Sequence, residues 1–314
     1  MRGIILLKIA IFSCLIGITG CQSLPKSVQT DVSGQTARAD GTVIDWMLTR
    51  AQKDSPKPVL IIAQGSGCSV ARTNSNVALL ANKLSEFALL TVEKYGVAPE
   101  DTPDDPMNSC SNAFFDHHTV SQRVRDVKNV LHDLRSRALW DGRLILFGGS
   151  EGGAVVSILS SELREADAVV VFSTGTGLTM SEFIPMVVPP PVAAQMITVF
   201  EQVRANPDPQ GIVGGNSYKW WSDILDRRLS DDLLKSDIPV LIVHGQNDQS
   251  APVEAARAAR DAFTDAGEID RLTYWEFPHR DHQMIDEQGD SHLAEVLSDI
   301  ASWIREQECE KFLN

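Results

Sequence analysis

The stretch that decides the fold is Leu144–Gly153, which reads LILFGGSEGG. A short apolar run leads into a glycine-rich turn that carries Ser150. In the pattern Gly148-x-Ser150-x-Gly152, the residues two before and two after the serine lack side chains, because Cβ atoms would clash in a tight strand-to-helix turn. The stretch therefore predicts a strand, a strained turn and a helix, with the Ser150 hydroxyl as a candidate nucleophile. The residues that continue the predicted helix are Ala154, Val155, Val156 and Ile158.

Short apolar runs and amphipathic segments alternate on both sides of this stretch, and they predict strands and helices respectively. Strands are predicted over 42–48 (at the sheet edge), 58–63, 87–92, 143–147, 168–172, 239–244 and 271–277, and helices over 76–87, 121–139, 152–163, 252–266 and 291–306. Continuous Val/Ile/Leu runs separated by helices indicate parallel strands buried on both faces. We therefore expect a doubly wound, mostly parallel α/β sheet whose ligand site lies at the carboxyl ends of the strands.

The connection over 174–238 is too long for a simple helical crossover. It contains Pro189–Pro191 and the aromatic cluster Tyr218–Trp221, and it follows the carboxyl end of a strand. Long connections in compact domains usually serve function, so we expect a cap over the site, with a structural excursion as the alternative. Trp220 and Trp221 could line an apolar substrate pocket or pack the interior of this cap.

A serine nucleophile needs a base, and the base needs an acid that orients it. Asp248 follows the strand predicted at 239–244, and a second role for it would be to cap the next helix. Two histidines, His279 and His282, follow the last predicted strand and compete for the role of base. The loop after strand 168–172 offers no acid, which favours Asp248.

The turn GGSEGG, together with Asp248 and the paired histidines, resembles the α/β-hydrolase superfamily over about residues 42–307, and it is similar to the turns of dienelactone-hydrolase and prolyl-oligopeptidase-like members. The resemblance implies an α/β-hydrolase fold with a cap insertion at about 174–238 and acyl transfer to water by Ser150. It also implies the chain order serine, acid, histidine. It favours His282 as the base, four residues after Pro278, and keeps His279 in reserve.

The resemblance further implies an oxyanion hole made of two backbone N–H groups. One would belong to Glu151, which directly follows the serine. The other would belong to Ser66, because Gln64–Gly67 stands where hydrolases often carry His-Gly-x-Gly. Ser66 could instead only shape the turn.

Composition excludes several classes of partner. The chain has 314 residues and a formal net charge of -14, which disfavours nucleic acid as a partner. The histidines at 279 and 282 lack a companion His-x-His or HExxH motif, so we expect no metal site, and nothing implies a cofactor. Two polar segments have alternative interpretations. Glu93–Lys94 could be an ion pair or a substrate contact, and Asp116–His118 could line the site but is better explained as a polar loop before a helix.

The amino-terminal segment has the layout of an export signal. Arg2 and Lys8 precede or border a short apolar run, and Ile18–Cys21 resembles the bacterial lipoprotein box. We expect a signal peptide over 1–20, lipidation of Cys21, and a flexible tether over 21–41. The expected location is the bacterial cell envelope, lipid-anchored in the outer membrane and facing the periplasm. A plain signal peptide is the alternative, and residues 308–314 are expected to form a C-terminal tail.

Cysteine use agrees with export. Cys68 and Cys110 both fall in predicted loops beside apolar strands, so we expect a disulfide between them. Unpaired thiols are the alternative, because sequence alone does not fix connectivity.

These observations favour a serine carboxylesterase that acts on a small-molecule acyl substrate through the triad Ser150, His282 and Asp248. A peptidase, thioesterase or acyltransferase could use the same triad. A non-catalytic envelope lipoprotein of the same fold is the remaining alternative, which would not require all three residues.

Overall fold

The computed structural model describes residues 30–51 and 55–311. The signal peptide and Cys21 expected from the sequence lie outside these residues. The strands are β1 (Thr30–Ala37), β2 (Val43–Ala51), β3 (Val59–Ala63), β4 (Ala88–Val92), β5 (Leu144–Gly149), β6 (Ala166–Phe172), β7 (Ile212–Val213), β8 (Asn216–Ser217), β9 (Val240–Gly245) and β10 (Leu272–Phe277). The helices are α1 (Ser75–Lys83), α2 (Asn112–His117), α3 (Val120–Ser136), α4 (Glu151–Glu162), α5 (Met180–Val187), α6 (Pro190–Ala205), α7 (Tyr218–Ile224), α8 (Leu229–Leu233), α9 (Val253–Asp265) and α10 (Leu293–Lys311).

Eight strands form one sheet in the order β1-β2-β4-β3-β5-β6-β9-β10. The strands from β4 to β10 in this order run parallel, whereas β2 is antiparallel to both of its neighbours, β1 and β4. Strands β3, β5, β6 and β9 occupy the middle of the sheet. Their apolar runs are covered on both faces, as expected for a doubly wound parallel sheet. The predicted fold class is confirmed.

Each face of the sheet has its own apolar core. On one face, alternate residues such as Val59 and Ile61 pack with buried residues of α3, α4 and α9. On the other face, Leu60 and Ile62 pack with buried residues of α1 and α10. The alternation follows from the two-residue period of a strand, which sends neighbouring side chains to opposite faces.

The sheet extends further toward the amino terminus than the sequence predicts. Residues 30–37, expected within the flexible tether, form β1, and β2 is therefore not the edge strand. The ring of Trp46 lies over Gly34, where a Cβ atom would collide with it, and Trp46 Nε1 donates to Thr36 Oγ1 at 3.0 Å. These contacts hold a strand that contains a single large apolar residue, Val32. At the other end, α10 continues to Lys311, so part of the expected C-terminal tail is helical.

The long connection between β6 and β9 is an insertion of helices α5 to α8 and the short β7–β8 pair. Its interior is aromatic: Trp220 and Trp221 are buried and meet edge to face, with ring centroids 4.9 Å apart. We call this insertion the cap. Within residues 30–51 and 55–311, no helix combines the length and apolar character needed to span a membrane.

Candidate active site

Ser150 occupies a strained turn between β5 and α4. Its backbone has φ 53° and ψ −123°, a conformation that non-glycine residues adopt only where surrounding structure enforces it. A Cβ atom on Gly148 would collide with the carbonyl of Gly152, and one on Gly152 would collide with the carbonyl of Ala63. The glycines therefore allow the turn, and the Ser150 N–H donates to Phe172 O at 2.9 Å.

His282 and Asp248 are joined directly. His282 Nδ1 lies 2.7 Å from Asp248 Oδ2. The other oxygen of Asp248 accepts from the backbone N–H groups of Ser250 and Ala251, at 2.8 and 2.9 Å. Because Asp248 is buried and its oxygens are bonded, its carboxylate is fixed and can hold the imidazole in one orientation. His282 remains about a quarter exposed, so its other ring nitrogen is accessible to a ligand.

The second histidine of the pair is placed elsewhere. His279 is largely exposed, has φ 60°, and has its Nδ1 3.3 Å from Glu287 Oε1. A third histidine, which the sequence analysis did not single out, lies beside Asp248. His244 on β9 is fully buried, with Nε2 2.7 Å from Ala251 O, and burial lowers its pKa. A neutral His244 therefore supports the loop that carries Asp248.

Two cavities meet at Ser150 and His282. One has a volume of about 170 Å³ and the other, beneath the cap, about 300 Å³. The smaller cavity is lined by apolar side chains of the sheet and of α1 and α10, namely Ile62, Val77, Phe147, Phe172, Leu293 and Leu297. The larger one is lined by apolar side chains of the cap, namely Met180, Phe183, Ile184, Trp220, Trp221 and Ile224. Trp220 and Trp221 thus pack the cap and line a cavity at the same time.

The loop after β3 lies against the serine. A Cβ atom on Gly65 would be 3.3 Å from Ser150 Cβ and 3.8 Å from Ser150 Oγ. Ser66 and Glu151, the two residues predicted to supply backbone N–H groups, both border the cavity beneath the cap together with Ser150. The structure therefore brings together all five residues predicted for catalysis and oxyanion binding.

No family model matches the chain, and no curated protein matches it closely enough in sequence to count as a relative. Solved structures do match. Est1E from Butyrivibrio proteoclasticus with bound ferulic acid has a TM-score of 0.60 at 18% identity, covering 88% of this chain and 100% of that one. An esterase from Pyrococcus furiosus has a TM-score of 0.59 at 12% identity, covering 89% and 91%. A puromycin-hydrolysing peptidase from Mycobacterium tuberculosis has a TM-score of 0.58 at 13% identity, covering 89% of this chain and 40% of that one.

The strand order, the serine turn and these structural matches agree. The chain has the α/β-hydrolase fold. The structures similar to it include esterases and peptidases, and the hydrolase fold accounts for the position of Ser150, Asp248 and His282 at the carboxyl ends of three parallel strands.

A buried group of charged side chains lies behind the serine turn of this hydrolase fold, and the sequence analysis missed it. Glu151 Oε1 lies 2.6 Å from Arg123 Nη1, 3.2 Å from His118 Nε2 and 3.7 Å from Lys94 Nζ. We call these four residues the Glu151 cluster. All four side chains are at most 8% exposed. One signal in the sequence could have pointed to it: Glu151 is followed directly by the apolar residues that begin the predicted helix, and a buried carboxylate there needs cationic partners.

Burial and mutual attraction set the charges of the Glu151 cluster. Burial alone would raise the pKa of Glu151, but Lys94, His118 and Arg123 together hold it below its usual value. Burial lowers the pKa of His118 to about 4, which keeps its imidazole neutral at pH 7. Burial also lowers the pKa of Lys94 to about 7, against the opposing attraction of Glu151. Glu93, the sequence neighbour of Lys94, instead accepts from the backbone N–H of Ala71 at 2.8 Å.

A disulfide joins Cys68 and Cys110. Cys68 directly follows the loop against Ser150, and its N–H donates to Pro106 O at 2.8 Å. The two cysteines pack with Val70 and Phe114 in a small apolar cluster separate from the sheet cores. The bridge therefore anchors the far end of the loop that faces the serine.

Proposed function

We propose that this chain is a serine hydrolase, and that it acts as a carboxylesterase on small acyl substrates. The observation that carries the proposal is the 2.7 Å contact between His282 Nδ1 and Asp248 Oδ2 beside the strained turn of Ser150. A structural turn has no need for this combination, and an imidazole that a carboxylate orients beside a serine is suited to accept the proton of that serine.

In the proposed mechanism, each of these groups has one role. The Ser150 hydroxyl gives its proton to His282 Nε2 as Oγ bonds to the carbonyl carbon of the substrate. The carbonyl oxygen becomes an oxyanion, which the backbone N–H groups of Ser66 and Glu151 stabilise. The bond to the leaving alcohol then breaks, and His282 returns the proton to that alcohol. In the second half of the reaction, His282 takes a proton from water as the water oxygen bonds to the acyl carbon. The bond to Ser150 Oγ then breaks, His282 returns the proton to Oγ, and the acid is released.

The two cavities support an ester with two apolar parts. Because both cavities border Ser150, the acyl group can occupy one while the alcohol part occupies the other. The volume of about 170 Å³ on the sheet side suits the smaller group. The esterases among the similar structures support an ester as the substrate class.

A peptidase is the second candidate, because the similar structures include puromycin-hydrolysing and dipeptidyl peptidase-like proteins. This chain spans about two fifths of the length of those proteins. Comparing p-nitrophenyl esters with aminoacyl p-nitroanilides separates the two: the ester proposal expects turnover of the esters and at most traces with the anilides.

Lipid anchoring through Cys21 is proposed from the sequence alone. The short apolar run and the small residues before Cys21 support it. The proposal places the enzyme at the envelope, on the side that faces the periplasm.

The test of the proposed mechanism uses a fluorophosphonate probe, which bonds to an activated serine. The full-length protein in detergent is labelled, and the modified peptide is identified by mass spectrometry. We expect labelling at Ser150 that Ser150→Ala abolishes and His282→Ala strongly reduces. Ser161→Ala is the matched control, because Ser161 lies on the same helix and its hydroxyl donates to Ile158 O. An unlabelled folded wild type, or label that survives Ser150→Ala, would contradict the mechanism.

A further inference from the structure

Lys94 lies directly behind the loop that faces the serine. Its Nζ donates to Gly65 O and to Gly67 O, each at 2.5 Å, and lies 3.7 Å from Glu151 Oε1. The side chain is 1% exposed. One buried ammonium group therefore touches both parts of the chain that the proposed function assigns to the oxyanion hole.

The geometry of the peptide bond connects Lys94 to the hole. The carbonyl of Gly65 and the N–H of Ser66 belong to the same peptide, which is planar and trans, so they point in opposite directions. When Lys94 holds the carbonyl oxygen on its own side, the N–H must face the other side of the loop. Gly65 itself lies against the serine, because a Cβ atom on Gly65 would be 3.3 Å from Ser150 Cβ.

The bond to Lys94 also changes the strength of the N–H donor. When its amine is protonated, Lys94 polarises the amide whose carbonyl it holds, and the N–H of the same peptide becomes a stronger donor. The flanks of the loop are held differently, by Gln64 Nε2, which donates to Ser69 O at 2.6 Å, and by the N–H of Cys68. These flanking bonds fix the ends of the loop, whereas Lys94 fixes its centre.

Burying an ammonium group costs several kcal/mol, which well-placed partners offset. Glu151 already has Arg123 and His118 beside it, at 2.6 and 3.2 Å. Lys94 Nζ lies farther from this carboxylate, at 3.7 Å, than from the carbonyl oxygens of Gly65 and Gly67, at 2.5 Å, so pairing with Glu151 is not its nearest contact. Its two bonds to loop carbonyls are the contacts that no other member of the Glu151 cluster makes among the described residues.

We propose that Lys94 is a positioning residue that aims the Ser66 N–H at the oxyanion. The inference rests on the proposed hydrolase function and assigns to Lys94 a role in stabilising the transition state rather than in binding the substrate. Loss of this group should therefore lower kcat and leave KM nearly unchanged.

The test compares full-length wild type with Lys94→Met, which keeps the length of the side chain and removes its donors. With a p-nitrophenyl ester, we expect kcat to fall about 10- to 100-fold, less than the loss of an entire oxyanion donor, and KM to change by less than about threefold. The affinity for a trifluoromethyl ketone, whose adduct places an oxyanion in the hole, should fall in parallel with kcat. A merely structural role would not link these two quantities.

Two further variants complete the test. Lys94→Gln retains a neutral donor and should lie between wild type and Lys94→Met; if Lys94→Met does not fold, this variant decides the question. Arg38→Met is the matched control, because Arg38 is a buried cation paired with Asp126 at 2.8 Å and does not contact the loop. It should lower the Tm while keeping kcat within about twofold of wild type.

The outcomes separate the inference from the function on which it rests. An active wild type whose folded Lys94 variants keep kcat and ketone affinity would overturn the role of Lys94 and leave the hydrolase proposal standing. A rise in KM at constant kcat would overturn it as well. A folded wild type with neither ester turnover nor labelling at Ser150 would overturn both.

Discussion

Removing the bridge between Cys68 and Cys110 should cost a calculable amount of stability. The cysteines are 42 residues apart in sequence, and closing a loop of this size lowers the entropy of the unfolded chain by an amount worth ~4 kcal/mol at 25 °C. Unfolding entropy of about 2.1 cal/mol/K per residue gives ~0.6 kcal/mol/K for roughly 280 ordered residues. The double variant Cys68→Ala/Cys110→Ala should therefore melt about 7 °C below wild type.

The measurement is calorimetry of the full-length protein in detergent, for wild type and the double variant, each with and without a phosphine reductant. Reductant should lower the Tm of wild type to near that of the variant and leave the variant unchanged. Because Cys68 anchors the loop beside Ser150, kcat should fall together with stability. An unchanged Tm in the double variant would refute the stabilisation that we assign to the disulfide. If the reductant still lowers the Tm of the double variant, its effect comes from other thiols.

Three other changes test separate parts of the molecule. In Asp248→Asn, the amide oxygen can still accept from the two backbone N–H groups, while the amide NH₂ faces His282 Nδ1 and forces the ring proton onto Nε2. We therefore expect kcat to fall roughly 10⁴-fold while the Tm is preserved. A loss below tenfold would assign the role of the acid to another residue. The pKa of His118 is about 4 in the folded protein and 6.5 for a free imidazole, so the unfolded chain binds the proton more tightly. The free energy of unfolding should therefore fall by about 3 kcal/mol as the pH decreases from 6.5 toward 4. Urea unfolding across this range should show the loss in wild type and a flatter profile in His118→Asn. Cys21→Ser should shift the protein from the membrane fraction to the soluble fraction, and persistent membrane association would contradict lipidation.

The central sheet could be predicted from sequence because its strands are buried on both faces. The runs that became β3, β5, β6 and β9 are almost purely apolar, and nearly all of their residues are buried. Their residues lie within one or two positions of the predicted limits. The same reasoning placed Asp248 and the two histidines His279 and His282 at one edge of the sheet, because loops after parallel strands gather there, whereas the choice of His282 came from the family resemblance.

Strand β1 could not be predicted in this way. Its sequence, TDVSGQTA, is mostly polar, and its residues are exposed or half-buried. The strand exists because β2 offers it a ladder of hydrogen bonds and because Trp46 packs on Gly34. Both causes belong to the partner strand, so the local sequence does not contain them.

The Glu151 cluster shows the same limit for the site. Arg123 and His118 precede Glu151 by 28 and 33 residues, and they come from α3 and from the residue that follows α2. The sequence suggested that His118 belonged to a polar loop and that Lys94 could pair with Glu93. The cluster forms where α3 packs against α4 and where the segments after β4 and after α2 reach Glu151, and no spacing rule for a single element describes it.

Because β1 begins at Thr30, the segment that would connect the folded enzyme to a lipid on Cys21 is short. A tether over 21–41 could extend to ~70 Å, whereas the segment between a lipid on Cys21 and the start of β1 at Thr30 can reach at most ~30 Å. The amino-terminal edge of the sheet would then stay within about one domain diameter of the bilayer. Such an enzyme would sample a thin layer next to the membrane, and it would meet substrates released at that surface before those that diffuse through the wider compartment.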